Sequence, residues 1–138
     1  MRGVIIKKAT VVNSDDRREI LELMNGEMGI RNLKILTLKK GEQVLGNHYH
    51  WYPELMYVMK GGCHYFLRNK VTGEEEELDI AEGEIMIKTP MIVHTCIAKE
   101  DTILIDGSSE AWVGEDYNHV REVLYPKENK FDGMVLHK

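Results

Sequence analysis

A chain of 138 residues is the size of one domain and can bury one core. Its 18 Lys and Arg against 23 Asp and Glu leave a net charge of -5, with no basic block, which argues against nucleic acid or an anionic membrane as partner. No apolar run approaches the ~18–20 residues of a spanning helix. The run Val4-Ile5-Ile6 is too short for a signal-peptide core, so the expected compartment is the cytoplasm. Two cysteines, Cys63 and Cys96, are too few for a disulfide framework and are expected as free, buried, small apolar groups.

Residues 2–12 are rich in Val, Ile and Thr and are expected to form an opening strand. Asn13-Ser14-Asp15-Asp16 is a turn cluster. From Arg18 to Met24 periodicity does not separate a short strand from a helical turn. Asn25-Gly26 turns the chain, and Asn32 to Lys39 reads as a strand with Leu33, Ile35 and Thr37 opposite Leu36 and Leu38. Lys40-Gly41-Glu42 turns again. Leu55 to Lys60 is apolar on both faces, the mark of a central strand covered on both sides. Gly61-Gly62 then reads as a tight turn, with Cys63 to Asn69 returning as the second strand of a hairpin. Past Val71-Thr72-Gly73, the acidic run Glu74 to Glu77 is expected to be the solvated face of an edge strand rather than a docking patch.

Ala81-Glu82-Gly83 leads into three short strands, Glu84 to Lys88, Ile92 to Ala98 and Thr102 to Asp106, and Gly107-Ser108-Ser109 reads as a loop. Gly114-Glu115-Asp116-Tyr117 opens an expected C-terminal helix. Acids occupy its first turn, Val120, Val123 and Leu124 follow at helical spacing, and Pro126 ends it. Residues 127–138 form a polar tail. Many short strands between glycine turns indicate an antiparallel barrel or sandwich.

The chemistry concentrates in Gly46-Asn47-His48-Tyr49-His50-Trp51-Tyr52-Pro53-Glu54. His48 and His50 are two apart and leave the same face of a strand. Glu54 keeps that parity, with Pro53 bending the chain between them. His94 follows a glycine turn and a strand-like run. Three imidazoles and one carboxylate are a borderline ligand set for one divalent ion: Zn, Fe, Mn, Ni or Co. Cys96 shares parity with His94 and can face the same space; buried packing outweighs a nucleophile there, because no base stands ready to activate it. His64 and Tyr65 point to opposite faces after the Gly61-Gly62 turn, so one faces inward. Either is a candidate acid or base, with wall packing as the alternative. Tyr49 and Trp51 point away from the histidines and are expected to pack. Asp116, Tyr117 and His119 have no assignable partner, and His137 lies in the tail.

These stretches resemble the paired motifs of the cupin superfamily, G-x5-H-x-H-x3,4-E-x6-G and G-x5-P-x-G-x2-H-x3-N. His48, His50, Glu54 and Gly61 match the first; Gly41 stands one position too early for its leading glycine. Gly83 and His94 match the second, with Thr89, Met91 and Ala98 where proline, glycine and asparagine are usual. Over roughly residues 10–125 the resemblance implies an all-β, cupin-type double-stranded β-helix, a jelly-roll barrel with a short C-terminal helix, as a single domain over 1–138.

Gly-Asn-His-Tyr-His also resembles the cupins of nucleotide-sugar 3,4-ketoisomerases and of bifunctional capsular-sugar enzymes. That implies a sugar isomerase or epimerase acting on a keto-sugar, possibly nucleotide-linked. In that family the pair corresponding to His48 and His50 works as acid and base without metal. The expectation adopted here is instead a metal held by His48, His50, Glu54 and His94. A carboxylate beside neutral imidazoles completes a metal site; without an ion it would raise the histidine pKa values. An iron-dependent oxygenase and a non-catalytic binder of small ligands are the alternatives. The expected partners are a carbohydrate and a second copy of the chain, because a lone jelly roll leaves strand edges and apolar faces to cover.

Overall fold

The computed structural model describes residues 1–41 and 43–126, so Glu42 and the tail with His137 lie outside the described residues. In chain order the strands are β1 (Val4–Lys8), β2 (Thr10–Ser14), β3 (Glu19–Glu22), β4 (Asn32–Leu38), β5 (Leu45–Tyr49), β6 (Glu54–Lys60), β7 (Gly62–Asn69), β8 (Glu75–Ala81), β9 (Glu84–Lys88), β10 (Ile92–Ala98) and β11 (Thr102–Ser108). A single turn of helix, α1 (Glu115–Asn118), and a two-residue strand, β12 (Val120–Arg121), follow. One five-stranded sheet has the order β1-β9-β6-β11-β4 and the other β12-β5-β10-β7-β8, with every pairing antiparallel. β2 and β3 form a separate ribbon. This is the all-β jelly roll that the motifs implied.

The interior lies between the two sheets. Met56, Val58, Met86 and Leu104 from the first meet Cys63, Tyr65, Leu67, Ile80, Ile92 and Cys96 from the second. β6 is the central strand of the first sheet and is covered on both faces, as its double-sided apolarity required. Its outer residues Leu55 and Tyr57 pack with Ile85 and Ile87 under Ala9, Leu23, Met24 and Met28. The acidic run lies on β8, an edge strand, fully exposed, with Glu75 on Arg68 and Glu77 on His64.

Five local expectations change. Gly107 and Ser108, expected in a loop, continue β11 and pair with Leu33 and Asn32 of β4 and with Leu55 and Glu54 of β6. The opening stretch is two strands, divided at Ala9, whose N–H donates to Gly83 O at 2.9 Å. Arg18 to Met24 resolves as a strand, β3, paired with β2. Gly61-Gly62 is not a hairpin turn: β6 pairs with β9 and β11, and β7 with β10 and β8. The glycines carry the chain from one sheet to the other. Finally, the C-terminal helix stops after one turn. His119 is extended (φ -120°, ψ 144°), and Val120 and Arg121 pair with Tyr49 and His48 along the edge of β5. The unpaired ladder of β5 wins over helical spacing. The buried Asn118 side chain closes the turn by accepting from the Val113 and Gly114 N–H groups at 2.7 and 3.1 Å and donating to Ala111 O at 3.1 Å.

The crossover depends on Gly61. Its φ is +86°, and a Cβ there would lie 2.5 Å from Asp101 O. Gly61→Ala therefore combines left-handed backbone strain with a clash against main chain and is expected to cost about 1–3 kcal/mol. Denaturant unfolding monitored by circular dichroism checks this; an unchanged midpoint would remove Gly61 from the account of the crossover.

Candidate active site

The Gly46-Asn47 pair sets the position of His48. Both residues have positive φ (111° and 57°), and a Cβ on Gly46 would lie 2.5 Å from His94 O. β5 can therefore press close to β10, whose register shifts between His94 and Thr95 and leaves His48 directly opposite His94. Asn47 anchors the bend to the C-terminal segment: its Oδ1 accepts from Leu124 N–H at 2.9 Å, and its Nδ2 donates to Tyr125 O at 2.8 Å.

After His50 the chain bends at Pro53 and enters the other sheet. Glu54 thus comes from β6 on the facing wall, not from the strand of His48 as its parity suggested. Glu54 is paired directly across the sheet with Lys88 of β9. Both side chains are buried, and Lys88 Nζ lies 2.7 Å from Glu54 Oε1. The other carboxylate oxygen lies 3.2 Å from His50 Nε2, and His94 Nε2 is 3.8 Å from Oε1.

These groups line a cavity of about 200 Å³. Leu36, Met56 and Leu104 give it an apolar wall. The imidazole rings of His48 and His94 are 4.7 Å apart, and those of His48 and His50 4.9 Å. His94 donates from Nδ1–H to Ile92 O at 3.0 Å, which turns its Nε2 lone pair toward the cavity. His50 Nδ1 is 2.8 Å from Asn118 O. Both nitrogens of His50 therefore face oxygen atoms.

The environments differ in sign. Burial, then the neighbouring His119 and His50 rings, push His48 down to about 3. Burial and the Lys88 charge take His94 well below the usual histidine range. Burial opposes ionisation of Glu54, but the Lys88 ammonium and the His50 hydrogen bond prevail and hold it well below the usual carboxylate range. Asp106, also on the cavity wall, is pushed up to about 7 by burial and the Glu54 charge.

Tyr65 faces inward, buried, with its hydroxyl on Met56 Sδ at 3.0 Å, and burial raises it well above the usual phenol range. Cys96 reaches the cavity wall, and both cysteines are free and buried. His64 does not reach the cavity: it faces the outer surface, with Nδ1 2.7 Å from Asp79 Oδ1 and Nε2 2.9 Å from Glu77 Oε1. The expectation of an acid or base at His64 is therefore corrected, because the inward parity of β7 belongs to Tyr65. Trp51 packs outward on Tyr117 and donates to its carbonyl at 3.0 Å, and Tyr49 lies under Lys70. Asp116 does not line the cavity.

Sequence reasoning missed His119, Lys88 and Asp106. His119 stacks on His48 with centroids 4.0 Å apart and planes at 16°, and Trp112 meets it edge-on at 5.0 Å. No motif marks His119; it arrives through β12. A signal for Lys88 did exist, since a lone lysine ending the apolar run Ile85-Met86-Ile87 calls for a buried partner.

The three histidine nitrogens lie within 4.8 Å of one another, and neutral imidazoles suit a borderline divalent ion. An ion bonded at ~2.0–2.1 Å draws its ligands to about 3.3 Å apart, so the rings would have to close in. The triad fits such an ion. Glu54 stands beside the triad with Oε1 on Lys88 and Oε2 3.2 Å from His50 Nε2.

No protein-family model matches the chain, and no curated protein matches it by sequence. Solved structures do match. A dTDP-4-dehydrorhamnose 3,5-epimerase from Sulfolobus tokodaii is 19% identical, with a TM-score of 0.74 over 93% of this chain and 84% of that one. A TDP-quinovose 3,4-ketoisomerase from Campylobacter jejuni is 15% identical, with a TM-score of 0.74 over 88% and 95%. A 3,4-ketoisomerase from Thermoanaerobacterium thermosaccharolyticum, in complex with TDP-4-keto-6-deoxyglucose, is 14% identical, with a TM-score of 0.70 over 88% and 89%. The fold is that of the cupins. Among the described residues no helix is long and apolar enough to cross a membrane.

The outer position of His64 has a measurable consequence. Hydrogen bonds to Glu77 and Asp79 raise its pKa in the folded state. The stabilisation is then fully present below the unfolded value of ~6.5 and is lost as pH rises through the raised folded value. The pair is largely exposed, so screening limits it to ~1 kcal/mol. His64→Ala is expected to lower stability by up to that amount near about pH 5.5 and hardly at all near about pH 9, with cavity chemistry unchanged. Thermal unfolding at the two pH values tests it; lost turnover at unchanged stability would return His64 to the active site.

Proposed function

We propose that this cupin isomerises or epimerises a keto-sugar, carried on a nucleotide, by moving a proton through an enediol. The observation that carries the reading is the opposed setting of two adjacent imidazoles. His48 is kept unprotonated by burial and so is free to take a proton. His50, held between Asn118 O and Glu54, is placed to give one. A neutral imidazole beside one whose two nitrogens face oxygen atoms supports a division into base and acid. The sugar-nucleotide enzymes among the structural neighbours support the substrate class.

In the forward step His48 removes the hydrogen on the carbon next to the carbonyl. The C–H electron pair becomes the C=C bond, and the carbonyl π pair moves to oxygen, which takes a proton from His50. Return of a proton to the other carbon, as the hydroxyl on the first carbon gives up its own proton, moves the carbonyl; its return to the opposite face of the same carbon, with the proton on the enediol oxygen going back to His50, restores the carbonyl and inverts the centre. The Lys88 ammonium, one donor of which is used on Glu54, stabilises charge on the oxygen.

A second reading is favoured by the convergence of His48, His50 and His94. A divalent ion on those three nitrogens would supply Lewis-acid polarisation of the carbonyl. The same ligand set also accommodates the iron-dependent oxygenase alternative, while a cavity that binds and does not turn over would make the protein a small-ligand binder.

Proton magnetic resonance of TDP-4-keto-6-deoxyglucose in heavy water separates these readings. The expected result is enzyme-dependent exchange at the carbon next to the carbonyl, persisting after chelation and falling about 10²–10⁴-fold in His48→Ala. Loss of exchange on chelation, restored by one divalent ion, would make the triad a metal site. Oxygen consumption with ferrous iron and no exchange would indicate the oxygenase, and tight binding with neither would indicate the binder.

We also propose a homodimer. Leu33 and Ile35 stand 65% and 68% exposed on β4, whose outer edge has no neighbour among the described residues. Such an edge is a pairing template. Light scattering is expected to give twice the chain mass for the parent and one chain mass for the Leu33→Lys, Ile35→Lys double variant. A monomeric parent at tens of micromolar would refute the dimer.

A further inference from the structure

Asp106 presents a buried polar atom that the fold does not use. It lies on β11 between Leu104 and Ser108, all three lining the cavity, with Met56 and Lys34 as its cross-strand neighbours. Its Oδ1 is buried and has no hydrogen-bond partner among the described residues. Donors that could serve it are turned elsewhere. Lys34 Nζ sits over the Trp112 ring at 5.3 Å, Ser108 Oγ donates to Glu110 O at 3.1 Å, and Lys88 Nζ reaches Glu54 at 2.7 Å and makes no hydrogen bond to Asp106. Met56 and Leu104 have nothing to donate. A buried carboxylate without a donor is costly to fold and calls for an explanation.

A hydroxyl of the cavity's occupant can supply that donor. We infer that Asp106 is a specificity-determining residue of this site, its carboxylate accepting a hydrogen bond from a hydroxyl of the bound sugar. The inference deepens the keto-sugar reading and rests on it. A wall built to pair with a hydroxyl discriminates strongly, because a ligand lacking that group leaves the buried oxygen unpaired. It also explains why Lys34 stays at the mouth over Trp112: an ion pair there would satisfy Asp106 without ligand and blunt the selection.

Calorimetric titration with two probes tests this. TDP lacks the sugar, and TDP-4-keto-6-deoxyglucose carries it. Asp106→Asn and Asp106→Leu are expected to bind TDP as the parent does and TDP-4-keto-6-deoxyglucose about 10–100-fold more weakly. Both ligand-free variants are expected to melt no lower than the parent, because each removes a buried carboxylate that nothing in the fold pairs. Unchanged affinity for the nucleotide-sugar would overturn the inference and leave the keto-sugar reading intact. So would a parallel loss of both probes with a lower melting temperature, which marks a structural residue. A parent that binds neither probe would overturn the keto-sugar reading and this inference with it.

Discussion

The ion pair between Glu54 and Lys88 is the constraint on which the cavity depends. Two charges are removed from water, and each is tolerated only because the other lies 2.7 Å away. Breaking such a pair by removing one partner costs about 3–5 kcal/mol, since the survivor is left buried and uncompensated. The pair is fixed by strand register, Glu54 opposite Lys88, and so by the same hydrogen-bond ladder that builds the first sheet. Its fields reach the histidines: Lys88 depresses His94, while the Glu54 carboxylate sits against His50. A neutral pair in its place would leave the imidazoles without the contrast that separates donor from acceptor.

That register works only because the chain changes sheets twice near the site. Pro53 takes it from the wall of His48 to the wall of Glu54, and Gly61-Gly62 brings it back as β7. The cavity is therefore closed by residues close in sequence that face one another across the barrel. The price of this compactness is local backbone strain at Gly46, Asn47 and Gly61, each with positive φ and, at the glycines, main chain where a side chain would stand. Strain of that kind persists where the surrounding structure over-determines it. Here Asn47 shows how, since three of its hydrogen bonds reach Leu124 and Tyr125.

Much of this was legible in the residues. Strand positions followed from glycine punctuation and β-branched runs, and the covered central strand from the double-sided apolarity of Leu55 to Lys60. The histidines were legible because their spacing and a family motif agree. What escaped depends on pairing between distant strands. Gly61-Gly62 looks the same in a hairpin and in a crossover, and only the partners of β6 and β7 tell them apart. The helical spacing of Val120, Val123 and Leu124 was genuine, yet the open edge of β5 claimed Val120 and Arg121 first. His119 was invisible for the same reason: it reaches His48 only through that late strand. Parity placed Glu54 toward the histidines for the wrong reason, because it ignores the bend at Pro53.

The geometry also bears on how the histidines divide their work. Three imidazoles in a small apolar-walled cavity would repel one another if all were protonated, so burial keeps two of them neutral. A neutral triad is equally a set of metal ligands and a set of proton acceptors, and its nitrogens alone do not choose. Glu54 serves either role: Oε1 is held by Lys88, while Oε2, 3.2 Å from His50 Nε2, can take a hydrogen bond from that ring or meet an ion. The Lys88 ammonium repels a dication, while the Glu54 carboxylate, 3.2 Å from His50 and 3.8 Å from His94, attracts one, so the fields of the pair largely offset at the triad.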